Sequence, residues 1–243
     1  MIEVLKIFET TDDLADYFAR QLQGLLASMR HDHTFSLVLS GGTTPGLVFR
    51  KLASDYRNNI AWDKLKIFWG DERCVGPGEP ESNYKMAREN LLDLIPVPAS
   101  NVFRIHGEAI PETEALRYSS VVVANIHKYM GFPSPDLVML GIGEDGHTAS
   151  IFPSDTTLFN SDRLFCTTVH PQTKQKRITA CGRLINNART VMILATGKSK
   201  AGKVAQVYNR KTGWESLPVS LVQPVHGELN WLLDREAASE LNR

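Results

Sequence analysis

The chain has 243 residues, enough for one large α/β domain with a buried core or for two small ones. Hydrophobic residues make up 42% and charged residues 22%, and 27 basic residues balance 27 acidic ones. That balance favours neither nucleic acid nor a membrane as a partner, so an anion has to be held by a local cluster and not by the overall field. Three scattered cysteines, Cys74, Cys166 and Cys181, show no zinc spacing and no CxxC pair, and read as reduced thiols. Met1 to Glu9 lacks the basic region and apolar core of a signal peptide, and no apolar run approaches the ~20 residues of a membrane span. A cytoplasmic chain is expected.

The first predicted element is a helix over Thr11 to Met29. Thr11 is placed to cap it, Asp12 and Asp13 suit the positive end of its dipole, and Leu14, Phe18 and Leu22 recur at helical spacing. A short apolar strand, Phe35–Leu39, runs into Ser40-Gly41-Gly42-Thr43-Thr44-Pro45, and Pro45 opens a helix to about Ser54. Strand Leu65–Trp69 ends in Gly70-Asp71-Glu72-Arg73, and a helix from near Ser82 stops before Pro96. A helix fills Glu112–Met130, and strand Asp136–Leu140 runs into Gly141-Ile142-Gly143-Glu144-Asp145-Gly146-His147. Strands follow at Leu164–Val169, Arg177–Cys181, Thr190–Ala195 and His226–Trp231, with helices at Arg183–Ala188, Lys198–Tyr208 and after Asp234. This alternation predicts one α/β domain over residues 1–243, an open, mainly parallel sheet with helices on both faces.

Ligands of such sheets sit beyond the carboxyl ends of the strands, and three strands here each deliver a polar, glycine-bearing loop to that edge. Gly41 and Gly42 allow close backbone approach. Thr43 and Thr44 add hydroxyls before a helix N-terminus that favours a phosphate, although neither the P-loop nor the dinucleotide fingerprint is matched. Arg73 can fork onto a phosphate or carboxylate, with Asp71 or Glu72 to hold it. In the third loop Asp145 stands two residues before His147 and can accept its ring N–H, which leaves the other nitrogen basic. His31-Asp32-His33 reads as a solvated turn at the opposite edge. His170 lies in a polar loop that can approach the site. No metal-ligand spacing is present, and a phosphate needs two or three local cations, for which Arg73, Arg177 and Lys200 are chosen.

These segments, with Ser82-Asn83, Thr148-Ala149-Ser150-Ile151-Phe152-Pro153, Arg177-Ile178-Thr179 and Gly197-Lys198-Ser199-Lys200-Ala201, together resemble the 6-phosphogluconolactonase family. The likeness runs from about Phe35 to Trp231. It implies the NagB/RpiA-like (Rossmann-like) fold shared with glucosamine-6-phosphate deaminase and ribose-5-phosphate isomerase, and the second step of the oxidative pentose phosphate pathway. It implies a catalytic base at His147 with Asp145 beside it. Gly41, Gly42, Thr43, Thr44, Asp71, Arg73, Asn83, Gly143, Gly146, Arg177 and Lys200 would surround a sugar-phosphate lactone. No cofactor and no metal is implied, and a monomer or weak homodimer is expected. Loop N–H groups of Gly143–Gly146 are expected to face the oxyanion. Two departures stand out. His170-Pro171-Gln172-Thr173-Lys174-Gln175-Lys176 replaces a proline-rich, lysine-containing stretch, and Ser154 stands where a glycine often follows the proline.

Two other readings compete. Deaminases of amino-sugar phosphates carry a similar glycine–histidine loop, but follow it with an Ala-Phe-Asn-Glu-Pro run. Here Thr148–Pro153 supplies no acid. A sugar-phosphate sensor on a related fold would need an output domain, and the first 34 residues hold one helix and no helix-turn-helix.

Overall fold

The computed structural model describes residues 2–30 and 33–242. In chain order the strands are β1 (Ile2–Phe8), β2 (Phe35–Leu39), β3 (Leu65–Trp69), β4 (Asp71–Arg73), β5 (Lys128–Tyr129) and β6 (Phe132–Pro133). They continue as β7 (Leu137–Gly141), β8 (Phe165–Val169), β9 (Lys176–Ala180), β10 (Thr190–Ala195) and β11 (Glu228–Asp234). The α-helices are α1 (Thr11–Ala27), α2 (Thr43–Asp55), α3 (Asn83–Asn90), α4 (Pro111–Asn125), α5 (Gly182–Ile185) and α6 (Ala201–Tyr208).

Six parallel strands form the central sheet in the order β1-β11-β10-β7-β2-β3. Every residue of β2 and β10 is buried, as is β7 up to Gly141. Their runs FSLVL, LVMLG and TVMILA suit strands covered on both faces, so the helices flank the sheet on either side. Helix α1 turns Leu14, Phe18, Leu22 and Leu26 inward, one residue every four, and each such burial is worth about 1.5–3 kcal/mol.

Several boundaries differ from the sequence expectation. The segment Ile2–Phe8, read only for a leader, is an edge strand that pairs in parallel with β11 from Ile2↔Glu228 to Phe8↔Asp234. Thr10, not Thr11, caps α1: its hydroxyl accepts from Asp13 N–H at 3.1 Å while the Asp13 carboxylate accepts from Thr10 N–H at 3.1 Å. Helix α2 begins at Thr43, with Pro45 inside its first turn. Helix α4 stops at Asn125, and the chain then makes the β5–β6 hairpin. Residues after Asp234 form turns instead of a helix. Finally, β8 and β9 do not join the main sheet. With β4 they build a separate antiparallel sheet, β4-β9-β8, beyond the carboxyl end of β3.

Candidate active site

The sheet order reverses between β2 and β7: the chain runs outward to β3 on one side and through β10 to β11 on the other. Such a switch point opens a crevice at the carboxyl ends of the two diverging strands. A cleft of about 640 Å³ lies there, lined by the Ser40–Pro45 loop, Gly141–Asp145, His147 and the end of β10 at Leu194–Thr196. Its far wall is the small antiparallel sheet, which contributes Asp71, Arg73 and Arg177.

The third loop is shaped by its glycines. Gly143 N–H donates to His147 C=O at 2.8 Å and Gly146 N–H donates to Gly143 C=O at 3.0 Å, which closes the loop on itself. A side chain at Gly143 would collide with the His147 ring, and Gly146 adopts φ +86° against Leu217. Thr148 hydroxyl donates to Gly141 C=O at 2.8 Å and fixes the exit. His147 Nδ1 lies 2.6 Å from Asp145 Oδ1, and the same oxygen accepts His147 N–H at 3.1 Å. Partial burial raises the Asp145 carboxyl, but the hydrogen bond and charge of His147 outweigh it and hold that carboxyl down to about 2. An ionised acceptor on Nδ1 puts the ring proton there and leaves Nε2 as an acceptor, without a protein partner among the described residues. The side chain is 31% exposed and faces the cleft.

The second loop is organised by two buried carboxylates. Glu72 accepts from the N–H groups of Arg73 at 2.7 Å, Asn83 at 2.7 Å and Tyr84 at 2.8 Å, and from Ser82 hydroxyl at 3.1 Å. It therefore fastens the start of α3 to β4 and does not hold the Arg73 guanidinium, contrary to one of the two expectations. Burial pushes its carboxyl up against these donors. Asp71 accepts from Ser150 hydroxyl at 2.6 Å and from Asn83 amide at 3.3 Å, so it ties the third loop to the second. Nor does Asp71 make an ion pair with Arg73 among the described residues. The Arg73 guanidinium donates instead to Glu81 C=O, and its Nε is buried without a partner. Arg177 Nε is buried without a partner too. Burial first and the charge of Arg73 second pull the Arg177 guanidinium down.

On the opposite wall, Gly42 takes φ +107° as the residue before α2 and makes no side-chain cap. The N–H groups of Thr43 and Thr44 at the start of this 13-residue helix are left uncapped beside the cleft, whereas Pro45 has none and Gly46 N–H donates to Gly42 C=O at 3.1 Å. Thr44 hydroxyl meets Thr196 hydroxyl at 2.6 Å. Gly41 sits against the Asn83 amide so closely that any side chain there would overlap it. Lys200 Nζ lies 3.8 Å from Glu144 Oε1 at the rim.

A family model described as glucosamine-6-phosphate isomerases/6-phosphogluconolactonase matches residues 9–231. The chain belongs to this family. A 6-phosphogluconolactonase of Treponema pallidum is 40% identical over 70% of this chain and 71% of its own length. One from a Nostoc species is 35% identical over 98% of this chain and 99% of its own. The solved 6-phosphogluconolactonase of Trypanosoma brucei superposes with a TM-score of 0.87 at 29% identity, covering 99% of each chain.

Of the residues singled out from sequence in this family member, all but Gly146 line the cleft: Gly41, Gly42, Thr43, Thr44, Asp71, Arg73, Asn83, Gly143, Asp145, His147, Arg177 and Lys200. Gly146 shapes the loop from behind. The expected oxyanion role of the loop fails for two of its N–H groups, because those of Gly143 and Gly146 are spent on backbone carbonyls. Ser40, Thr196, Ser199, Pro171 and Gln172 line the cleft and were not singled out; Thr196 follows β10, so the strand-end rule alone would have found it. His33 also departs from expectation: its Nε2 lies 3.0 Å from buried Asp136, so it is not a merely solvated turn residue. His31 and Asp32 lie outside the described residues.

Proposed function

We propose that this chain hydrolyses 6-phospho-D-glucono-1,5-lactone to 6-phosphogluconate, the second step of the oxidative pentose phosphate pathway, within one domain spanning residues 1–243. The observation that carries the reading is an imidazole held by a carboxylate on one nitrogen and free on the other, opposite two arginines whose buried Nε atoms lack partners.

The phosphate binds between cations and helix N-terminus. Arg73, Arg177 and Lys200, the N–H groups of Thr43 and Thr44 and the threonine hydroxyls are the available donors. That remote binding positions the lactone carbonyl near His147. Nε2 of His147 takes a proton from water as the water oxygen bonds to the carbonyl carbon, a contribution of ~10²–10⁴-fold for a positioned base. Collapse of the tetrahedral adduct breaks the bond to the ring oxygen, which leaves with the proton from His147. The product acid then ionises. Asp145 holds the tautomer, and Asp71 and Asn83 hold the second and third loops together.

No helix among the described residues is long and apolar enough to cross a membrane. Three free cysteines fit a reducing compartment, and we place the activity in the cytoplasm.

The test is a direct lactonase assay with lactone generated in situ and spontaneous hydrolysis subtracted. Catalysed lactone opening without ammonia release from glucosamine 6-phosphate is expected. Ammonia release without lactone opening would instead favour the deaminase chemistry. Tight binding of 6-phosphogluconate with neither activity would mark a sensor.

A further inference from the structure

The cleft contains a second histidine whose hydrogen bonding is the mirror image of the first. His170 ends the chain's run through β8 and opens the 170–175 hairpin that leads back into β9. Its backbone is fixed at both ends: His170 N–H donates to Gln175 C=O at 2.9 Å, and Lys174 N–H donates to His170 C=O at 3.0 Å. Its ring is fixed as well. Nδ1 accepts from Gln172 N–H at 3.2 Å and from Thr173 N–H at 3.2 Å. A nitrogen that accepts two N–H groups carries no proton, so the proton of the neutral ring sits on Nε2. His147 is the reverse, with its proton on Nδ1 and its lone pair on Nε2.

Both rings line the cleft, and both pack on one aromatic side chain. The Phe152 centroid lies 5.0 Å from that of His147 and 5.0 Å from that of His170. One imidazole thus offers the cleft an acceptor and the other offers it a donor. Burial first and the charge of Arg177 second pull the His170 imidazole down, which keeps it a neutral donor beside the arginines. It adds a donor that the N–H groups of Gly143 and Gly146, already engaged, do not supply.

We propose that His170 is a catalytic residue whose Nε2–H donates to the lactone carbonyl oxygen and to the negative charge that oxygen gains in the tetrahedral adduct. This rests on the lactonase reading of the site. As the water oxygen bonds to carbon, the carbonyl π pair moves to oxygen and is stabilised by the Nε2–H bond. The water proton passes to His147, and His170 keeps its proton throughout. When the pair returns, the ring C–O bond breaks and His147 delivers its proton to the leaving oxygen.

The experiment separates the two nitrogens of His170. In His170→Asn the amide oxygen replaces Nδ1 as the acceptor for the N–H groups two and three residues on, as in an Asx turn, while the Nε2 donor is lost. In His170→Gln the amide NH2 reaches the Nε2 position. With the wild-type lactonase activity as reference, His170→Asn is expected to lose about 10²-fold in kcat with KM changed less than about threefold, the size seen for one oxyanion donor. His170→Gln is expected to recover at least about tenfold of that loss, since a neutral amide donor restores part of the bond. An unchanged kcat in His170→Asn, a loss confined to KM, or no recovery in His170→Gln overturns the assignment while the wild-type activity stands. A wild-type chain that opens no lactone overturns the functional reading and this inference with it.

Discussion

Arg73 and Arg177 stand opposite each other in register on the antiparallel β4–β9 pair, and both leave a buried Nε without a partner. Two like charges held side by side away from water cost stability in the empty protein and gain it back when an anion arrives between them. The prediction is a split between stability and binding. Arg177→Met should leave the unliganded melting temperature unchanged or raise it, because it removes one of two repelling, half-buried charges. It should raise KM about 10- to 100-fold, the loss of one charge-assisted hydrogen bond of ~1.5–3 kcal/mol. Arg73→Ala should likewise act mainly on KM. Melting curves with and without 6-phosphogluconate, together with KM, check both. A drop confined to kcat in either variant contradicts a phosphate-holding role.

The His147–Asp145 pair makes a second, pH-resolved prediction. In Asp145→Asn the amide can donate to Nδ1, which drives the ring proton to Nε2 and abolishes the acceptor. Loss of the base should lower kcat by ~10²–10⁴-fold, as should His147→Ala, with the fold intact in both. Acid stability should register the same contact. The Asp145 carboxyl is held down to about 2 in the folded protein, against 3.8 for the free group. Its contribution is therefore complete above the unfolded value and disappears as the pH falls through the folded one. The stability of the wild type relative to Asp145→Asn should be constant at neutral pH and converge between about pH 4 and pH 2. Both side chains are partly exposed, 31% and 43%, so the difference is small and shrinks with added salt. Acid titrations of the two proteins at two ionic strengths measure it.

Much of this site is legible before any coordinates, for a reason visible in particular residues. Leu39, Trp69 and Leu140 end apolar runs, and a parallel sheet forces whatever follows such ends to one edge, so Gly41, Asp71 and His147 converge without any knowledge of side-chain contacts. What the sequence conceals is pairing. Arg177–Cys181 reads from sequence as one more strand of the main sheet, and only the antiparallel register of Lys176–Ala180 with Asp71–Arg73 sets Arg177 against Arg73. Tautomers are concealed for the same reason: His170 looks like any loop histidine until the two N–H groups on its Nδ1 are seen. Ile2–Phe8 is illegible in the sequence because its mixed, half-exposed pattern is that of a sheet edge, which carries little periodic signal.

Gly143 tests whether loop shape alone governs the reaction. A Cβ added there would meet His147 Nδ1 and lie 2.6 Å from Asp145 Oδ1, closer than side chains pack. Gly143 lies outside the positive-φ positions, so alanine meets no backbone penalty and the collision is the whole effect. Gly143→Ala should therefore push the pair out of line and lower kcat at least about tenfold, since small misplacements of a base are expensive in rate. KM should change little, because the phosphate donors sit on other loops. Gly41→Ala makes the complementary case. Its Cβ would displace the Asn83 amide, so its damage should fall on the junction with Asp71 and appear in both constants. Steady-state kinetics of the two alanine variants distinguish them.

Glu72 carries the last prediction, which concerns stability and not chemistry. This carboxylate is 2% exposed and accepts three backbone N–H groups and one hydroxyl, joining β4 to the first turn of α3. Glutamine has nearly the same shape but one acceptor oxygen in place of two, and its NH2 would face the donors of Ser82 and Tyr84 or of Arg73 and Asn83. Whichever way the amide turns, at least one backbone N–H loses its acceptor, at a cost of about 1–3 kcal/mol for each unsatisfied group. Glu72→Gln should accordingly lower the denaturant midpoint and free Asn83 from its place against Gly41 and Asp71. Because Asn83 and Arg73 lean on the same junction, KM should rise even though Glu72 itself is absent from the cleft wall. Urea unfolding paired with KM measurement checks the linkage, and a destabilised variant with unaltered KM would show that the junction serves the fold alone.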